Sequence, residues 1–395
     1  MQVTQLYTLV NNVTKEMLGE TALINEDLTN VVDIGKLIID SGNVDNYVKK
    51  LVNHIGKVVF VNRIYAGGVP SLLMSSWEFG SILEKISSEL PDATENSSYA
   101  LNDGEDYSPN IFYQPKVEAK FFNSKVTFEI PLSFTEKQVK ESFSSAEQLN
   151  GFISMLTTSV ENSMTVKLDG LIMRAINNMI AETLIAELGS GEAGSKVLDL
   201  TGTGVKAVNL LKLYNDEVAP TTPLTSAKAL TSSEFIKFAT YKIGLYSDRM
   251  SKISKLFNVG GKERFSPLDM QMVVLLSDFA KASETLLLSS VYNPDKVVLP
   301  KHDSVPYWQG SGLEYDFGSV SKIDVKSSSG ETVAAAGVLG VIADREAIGV
   351  SNLDRRVTTN YNAKAEFYTN FYKFDAGYYN DLGENFIVFF IHDAA

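Results

Sequence analysis

SAEQLNGFISMLTTSVENSMTVKLDGLIMRAINNMIAETLIAELGSGEAG, residues 145–194, contains the strongest structural signal in this chain. Apolar residues recur in it at intervals of three and four, the spacing of one face of an α-helix. The series comprises Leu149, Phe152, Ile153, Leu156, Val160, Met164, Leu168, Leu171, Ile172, Ala175, Ile176, Met179, Ile180, Leu184 and Leu188. At about 1.5 Å per residue the predicted helix is roughly 60 Å long. Because globular helices average about 11 to 12 residues, this one is expected to cross a broad molecule or enter a bundle.

Two helix starts are predicted in succession before this series. Thr135 with Gln138, and Ser145 with Gln148, have the spacing of a capping box. In that motif a hydroxyl and an amide side chain each satisfy an open backbone N–H at the first turn. The polar positions of the long helix do not form a seam of paired e and g charges, so a coiled coil is the less favoured arrangement.

The helix is predicted to end at ELGSGEAGSK, which contains the pattern G-x-G-x-x-G at Gly189, Gly191 and Gly194. In a dinucleotide site these glycines follow a strand and open a helix. Here they close one, so a helix stop and turn is the favoured interpretation. A nucleotide-binding loop remains a formal alternative.

The N-terminal third is predicted to be an arm followed by strands. In residues 44–57 the apolar side chains share one helical face, after a polar stretch over 1–41. Strand patterns follow up to Phe134, with a helix predicted over WEFGSILEKISSEL (77–90). VEAKFFNSKVTFEI (117–130) is interpreted as a hairpin that turns at Asn123 and Ser124.

Residues 89–110, ELPDATENSSYALNDGEDYSPN, hold six acidic residues and no basic one. Low hydrophobicity predicts a solvated loop. The regular short spacing of carboxylates that a calcium loop needs is absent from it.

A compact α/β unit is predicted over residues 226–345. APTTPLT (219–225) indicates a boundary, and a capped helix is expected in residues 231–257. MVVLL (272–276) predicts a buried strand and SDFAKASETLLL a helix, after which strands and turns alternate up to residue 344.

The C-terminal stretch AEFYTNFYKFDAGYYNDLGENFIVFF (365–390) is rich in aromatic rings, and three interpretations compete for it. A base-stacking platform keeps its rings on one exposed face among basic residues, whereas here Phe367 and Phe371 alternate with Tyr368 and Tyr372. A membrane-facing surface lacks support elsewhere in the chain. We therefore predict two long packed strands, the first covered on both faces and joined to the second by a turn at GYYNDLGEN.

Composition excludes several classes of protein. The chain has 395 residues, 44% of them apolar, without a run of about 18 apolar residues or a signal-peptide layout, so no membrane association is predicted. The absence of cysteine rules out disulfides and thiolate zinc sites and favours a cytosolic compartment. The net charge of −13 and the scattered Lys and Arg residues argue against a dedicated DNA reader.

No catalytic pattern emerges, so neither an enzyme nor a cofactor nor a metal site is predicted. The His residues stand apart from one another, Asp354 and Arg355 suggest an ion pair, and the carboxylates of residues 103–106 lie in the most polar stretch. The isolated histidines are His54, His302 and His392, and those carboxylates belong to Asp103, Glu105 and Asp106.

Three motifs carry a resemblance to a known family. FTEKQVKESFSSAEQLNGFISMLTTSVENSM (134–164), VPYWQGSG (305–312) and DREAIGVSNLDRRVTTNYNAKAEFYTNFYKFDAGYY (344–379) are similar to major capsid proteins of tailed bacteriophages, in particular those of phages of Gram-positive hosts. The order of elements along nearly the whole chain also resembles that family. The resemblance implies an α+β Hong Kong 97-like capsid fold.

In that fold an N-terminal arm, an extended loop, a peripheral domain with the spine helix and an axial α/β domain are expected. The corresponding residues are 1–57, 58–134, 135–225 with 346–395, and 226–345. In the family, axial domains meet around five- and six-fold axes, while arms and loops lie over neighbouring subunits. By this resemblance the loop tip makes an intersubunit contact through Lys120, Phe121, Phe122, Asn123, Ser124 and Lys125.

The resemblance also implies function and partners. The chain is expected to self-assemble as hexamers and pentamers into an icosahedral shell around double-stranded DNA, which it contacts weakly. Its predicted location is the virion, after assembly in the host cytoplasm. A portal protein is an expected partner, and the short N-terminal arm suggests a separate scaffolding protein. An encapsulin-type compartment shell and a cytosolic nucleotide-binding enzyme are the alternatives.

Some family members join subunits through Lys–Asn isopeptide bonds. Lys120 or Lys125 offers an amine and Asn360 or Asn362 an amide, but nothing in the sequence selects a pair or a catalytic carboxylate. We therefore predict no crosslink.

Overall fold

A computed structural model describes residues 83–88, 101–105, 114–135, 146–288, 299–309 and 316–393. It also describes, singly or in pairs, residues 11, 14–15, 33–34, 36, 73–74, 91, 110, 112 and 137–138. The helix predicted over 44–57 and most of the acidic loop lie outside these residues. Within them the chain forms two compact units. The first unit draws on residues 1–80, 125–174 and 350–377, and the second on residues 81–124, 175–349 and 378–395.

The described part of the chain combines helices and strands. The strands are β1 (Leu73–Met74), β2 (Leu83–Ser88), β3 (Val117–Phe122), β4 (Lys125–Thr135), β5 (Gly189–Ser190), β6 (Val197–Leu198), β7 (Ala207–Asn209), β8 (Gln271–Leu276), β9 (His302–Val305), β10 (Ile323–Lys326), β11 (Thr332–Ala335), β12 (Val338–Asp344), β13 (Ile348–Asn362), β14 (Phe367–Asn380) and β15 (Phe386–Phe390). The helices are α1 (Ala146–Leu188), α2 (Leu210–Val218), α3 (Ser226–Ala229), α4 (Ser233–Met250), α5 (Ser277–Leu288) and α6 (Phe317–Val320).

The long helix is confirmed as α1, which runs for 43 residues. Along its described side chains the predicted apolar face is buried, with Met164, Leu168, Ile172 and Met179 fully inaccessible. In the second unit even a polar residue is buried in this helix: the Thr183 hydroxyl donates to the Met179 carbonyl oxygen at 2.8 Å. Over residues 175–185 the helix is thus buried on nearly all sides, which is typical of a structural core element, whereas residues 158–170 keep one exposed face.

The first capping box is confirmed. The Thr135 backbone N–H donates to Gln138 Oε1 at 2.9 Å, and the Gln138 N–H donates to Thr135 Oγ1 at 3.3 Å. The second box lies outside the described residues at Ser145, although α1 begins at the next residue.

The first unit contains a four-stranded sheet with the order β1-β13-β14-β4. β14 and β4 pair antiparallel from Phe367 opposite Thr135 to Gly377 opposite Lys125. Aromatic rings pack on one face of this pair, since the ring centroids of Phe134 and Tyr368 lie 5.8 Å apart. That face is buried, whereas the opposite face of β14 is only half-buried, so the prediction of full cover on both faces holds only in part.

The second unit is built around a five-stranded mixed sheet with the order β7-β15-β12-β8-β9. β12 and β15 are buried throughout, which explains their continuous apolar sequences. Side chains of α2, α4 and α5 join those of the sheet in one hydrophobic core. The predicted strand at 272–276 and the helices in 231–257 and 277–288 are confirmed, and Ser232 caps α4 by accepting from the Phe235 N–H.

Two local predictions are wrong. Leu83–Ser88 is a strand and not part of a helix, because it pairs antiparallel with β3. Residues 117–122 and 125–135 are strands, as predicted, but they do not form a hairpin with each other. β3 pairs with β2 and β4 pairs with β14, so Asn123 and Ser124 connect two different sheets.

The predicted C-terminal strand pair is also wrong. β14 lies in the sheet of the first unit, whereas β15 lies between β12 and β7 in the sheet of the second unit. The turn at GYYNDLGEN therefore passes the chain from one sheet to another. Each strand has a more extensive apolar partner elsewhere, and burial of that surface outweighs the short connection.

Candidate functional site

The predicted loop-tip residues lie at the end of an antiparallel ribbon formed by β2 and β3, here called the ribbon. Its register places Leu83 opposite Phe122 and Lys85 opposite Lys120. The two strands alternate in burial, so one face of the ribbon is directed toward the rest of the second unit, to which the ribbon belongs, and the other toward solvent.

The two faces of the ribbon have unusual chemistry. The half-buried face carries Lys85 and Lys120, while the outward face carries Ile86, Val117 and Phe121, which are 65%, 61% and 63% exposed. A strand pair usually buries its apolar side chains and exposes its charges. Here two lysines are half-buried and paired, whereas three apolar side chains are exposed on the other face beside Glu84.

A carboxylate turn, defined as Asp381–Glu384, receives both lysines. Lys120 Nζ lies 2.8 Å from Asp381 Oδ1, and Lys85 Nζ lies 3.0 Å from Asp381 Oδ2 and 2.8 Å from Glu384 Oε1. Arg264 Nε also contacts Glu384 Oε1, at 3.1 Å. Directly opposed like charges destabilise a strand pair, so the shared Asp381 carboxylate is what allows the two lysines to face each other.

The ionisation of this cluster reflects its geometry. Burial would raise the pKa of Asp381, but the hydrogen bonds from Lys120 and the Gly383 N–H and the charge of Lys85 outweigh it and keep that pKa below its usual range. For Lys85, burial opposes the charged form, yet Glu384 and Asp381 leave its pKa above the usual value. Asp381 and Lys85 are therefore both charged around neutral pH.

The six predicted contact residues divide into two sets. Lys120 pairs with Asp381, the Phe122 ring lies 4.9 Å from that of Tyr379, and the Ser124 carbonyl oxygen accepts from the Tyr378 N–H at 3.2 Å. The other set is Phe121, Asn123 and Lys125; these three and Ser124 are exposed. Whether they touch a neighbouring subunit stays a prediction.

The acceptors of this cluster were not predicted from the sequence. NDLGEN was interpreted only as a turn, and Lys85 was placed in a predicted helix. Lys85 and Asp381 are 296 positions apart, so no local spacing relates them. The available signal was the pair of acids in a glycine-containing turn between two aromatic strands.

A second exposed apolar surface lies in the segment after α4. A bridge between Ser254 and Arg264 brings two chain segments together, and Ile253 and Phe265 adjoin it with half or more of their surface exposed. Leu256 and Leu268 are exposed in the same segment.

The glycine pattern after α1 is confirmed as a helix stop and turn. Gly191 and Gly194 have φ angles of 117° and 88°, in the region that favours glycine. The Gly194 N–H donates to Glu331 Oε1 at 2.8 Å. In a nucleotide-binding loop such a backbone N–H would donate to a phosphate group, whereas here it donates to the carboxylate of Glu331.

The remaining candidates from the sequence are the histidines and the carboxylates of residues 103–106. Within the described residues, groups of three or more His, Asp or Glu side chains suited to a metal ion are not found, and Asp103 and Glu105 are exposed. His302 and His392 each place Nδ1 2.9 Å from a backbone carbonyl oxygen. Of the described helices, none has the length and apolar character needed to cross a bilayer. His54 and Asp106 lie outside these residues, as does the side chain of Asp354.

The architecture has counterparts among solved phage structures. The fold is similar to that in the capsid structure of Staphylococcus phage Andhra, with a TM-score of 0.50, 10% identity, and coverage of 84% of this chain and 86% of that one. A structure of the head fiber and inner core protein gp22 of native bacteriophage P68 has a TM-score of 0.49 at 8% identity, with coverage of 84% of this chain and 86% of that one. The capsid structure of the cyanophage P-SCSP1u has a TM-score of 0.45 at 11% identity, with coverage of 85% of this chain and 92% of that one. This is the Hong Kong 97-like fold of tailed-phage capsids.

The family follows from the sequence. The family model for Phi29-like phage major capsid protein matches residues 10–390, and the chain belongs to that family. A search of curated proteins gives no match. The protein is a structural major capsid protein, and neither the encapsulin alternative nor the nucleotide-binding enzyme is supported.

Proposed function

We propose that this capsid protein forms an icosahedral shell of hexamers and pentamers around double-stranded DNA, and that the outward face of the ribbon joins neighbouring subunits. The observation that carries the contact is the exposure of Val117, Phe121 and Ile86 on an element whose charged face is already satisfied within its own subunit. The predicted residues Lys120–Lys125 lie at the end of this element.

Burial of the outward face would be favourable. Each Å² of apolar surface removed from water contributes roughly 25 cal/mol. Lys85 and Lys120 add no desolvation cost to this contact, because they already pair with the carboxylate turn. A closed ring of subunits requires a heterologous interface, in which this face meets a different surface of the next copy.

The axial contact is proposed for the predicted axial domain, residues 226–345. Ile253 and Phe265 lie in that range and expose apolar surface beside the Ser254–Arg264 bridge. Residues 1–57, 58–134, and 135–225 with 346–395 keep their proposed assignments as arm, extended loop and peripheral domain.

The remaining partners are also proposals. With a net charge of −13, the subunit would hold packaged DNA by few phosphate contacts, which allows the genome to be driven in and released. A separate scaffolding protein and a portal protein are the expected assembly partners, in the host cytoplasm. A strongly basic inner surface of the shell would contradict the weak DNA contact.

Electron microscopy of the purified chain, alone and after co-expression with a candidate scaffold, tests the assembly. We expect closed shells or sheets with hexameric units. A double variant, Val117→Asp with Phe121→Asp, should abolish them. Val197→Asp is the control, because Val197 is equally exposed in another short strand. Normal shells from the double variant would exclude the ribbon from the interface, and a small oligomer from the unmodified chain in both samples would contradict self-assembly.

A further inference from the structure

The carboxylate turn is held in place without the help of the ribbon. The Asp381 N–H donates to the Ala347 carbonyl oxygen at 2.7 Å, and the Glu384 N–H donates to Asp381 O at 3.2 Å. The Gly260 N–H donates to the carbonyl oxygen of Leu382 at 2.8 Å. These backbone bonds fix the path of the turn without any contact from the ribbon, so the turn is a preformed acceptor.

The ribbon, in contrast, has little stability of its own. It is a separate two-stranded sheet, and such sheets are marginally stable without further packing. Its Lys85 and Lys120 side chains are directly opposed and repel each other unless an acid bridges them. Asp381 supplies one oxygen to each, and its side chain is 2% exposed.

Two further ion pairs join the ribbon to the rest of its unit around this cluster. Glu346 Oε2 lies 3.3 Å from Lys85 Nζ, and Lys262 Nζ lies 2.9 Å from Glu118 Oε2 on the ribbon. Without the ribbon, Asp381, Glu384 and Glu346 would be left with a surplus of negative charge. The ribbon and the turn are therefore complementary in charge and in the spacing of their groups.

We infer that the Asp381–Glu384 turn is an ionic latch, which holds the ribbon against its own subunit and thereby determines that the apolar face of Ile86, Val117 and Phe121 is offered to a second copy of the chain. The second half of this inference rests on the proposed function of the ribbon face. Lys85 and Lys120 are positioning residues in it, since they act through the strands that carry them.

Hydrogen exchange tests the latch without depending on assembly. In the double variant Lys85→Met with Lys120→Met, the amides of β2 and β3 should exchange at least about tenfold faster than in the unmodified subunit, because local opening costs less. The amides of the five-stranded sheet should be unaffected. Lys281→Met, which removes an exposed ion pair of the same unit, is the control. Unchanged exchange in the ribbon would overturn the latch.

A second variant disturbs the contact without removing a charge. A Cβ atom at Gly383 would lie 2.5 Å from Lys120 Nζ and 3.2 Å from Asp381 Oδ1, so Gly383→Ala must displace the ammonium group. We expect faster ribbon exchange in this variant as well. Gly244→Ala is the matched control, because a Cβ there meets nothing within 4 Å. Equal exchange in the two variants would show that the Lys120–Asp381 contact does not hold the ribbon.

Microscopy of the same variants separates the latch from the proposed function. Faster exchange with impaired shell assembly supports both halves of the inference. Faster exchange with normal assembly overturns the claim that the latch directs the apolar face. If the lysine variants exchange faster while Val117→Asp with Phe121→Asp assembles normally, the proposed ribbon interface fails and the latch alone remains.

Discussion

At the scale of single residues, Asn209 shows how a buried polar side chain organises the second unit. Its Oδ1 accepts from the backbone N–H groups of Lys212 at 3.2 Å and His392 at 3.3 Å. Its Nδ2 donates to the carbonyl oxygens of Leu200 at 3.1 Å and His392 at 3.0 Å. One amide thus caps α2 and ties it to the segment that follows β15.

Asn209→Ala should lower the free energy of unfolding by about 2–4 kcal/mol, because it removes a helix cap and leaves buried backbone groups without partners. Urea titration followed by circular dichroism measures this change. Asn360→Ala, at an exposed position, should change stability by less than about 0.5 kcal/mol. Similar losses in both variants would contradict the role given to Asn209.

Glu331 predicts a specific dependence of stability on pH. The hydroxyls of Ser327 and Ser329 and the backbone N–H groups of Glu331 itself and Gly194 donate to its carboxylate and lower its pKa to about 2. Because the folded pKa lies below 4.5, the ordinary value for a glutamate side chain, the stabilisation is present above about pH 4.5 and is lost as the pH falls toward 2.

The difference in thermal midpoint between the unmodified chain and Glu331→Gln should therefore be largest above about pH 5 and shrink toward pH 2. Differential scanning calorimetry at a series of pH values measures it. A difference that does not vary with pH would show that the carboxylate charge at this turn is not the stabilising factor.

At the scale of secondary-structure elements, α1 contains a glycine that its geometry does not require. Gly170 is exposed within the helix, and an added Cβ meets nothing within 4 Å. Gly170→Ala should raise the free energy of unfolding by about 0.5–1 kcal/mol, because alanine loses less backbone entropy in a helix. Gly191→Ala, at a φ of 117°, should instead lower it by about 1 kcal/mol or more. Denaturant unfolding of both variants checks the opposite signs.

Strand partners were harder to predict than strands. Residues 117–122 and 125–135 have the alternation that indicates strands, and both form them. Residues 117–122 pair with Leu83–Ser88, which was predicted to be helical. Residues 125–135 pair with Phe367–Gly377, which lies far away along the chain. A short connection favours a hairpin only when no distant segment buries more apolar surface.

At the scale of the whole molecule, mature particles should contain no isopeptide crosslink. The Lys120 ammonium is held by Asp381, and Asn362 Oδ1 accepts from the N–H groups of Lys364 and Ala365 at 3.1 and 3.2 Å. Both groups are thus engaged within their own subunit. A denaturing gel of purified particles should show intact monomers, and a ladder of covalent oligomers would contradict this prediction.

The sequence by itself determined the features that depend on neighbours in the chain. The three-and-four spacing of α1, the capping box at Thr135 and the turn at Gly189–Gly194 all follow from local hydrogen bonding and backbone freedom, so each was predicted correctly. The family resemblance likewise rests on contiguous stretches of sequence, residues 134–164, 305–312 and 344–379. Of the candidate contact residues, Lys120–Lys125 were identified by that resemblance and not by any spacing.

Only the tertiary structure decided which segments meet. It brought Lys85 and Lys120 to a shared carboxylate at Asp381, and it turned the apolar face of the ribbon outward. The physical reason is that strand pairing and ion pairing join groups across hundreds of positions. The energy of these contacts depends on which surfaces are buried together, and the residues adjacent in sequence do not specify which distant surface that will be.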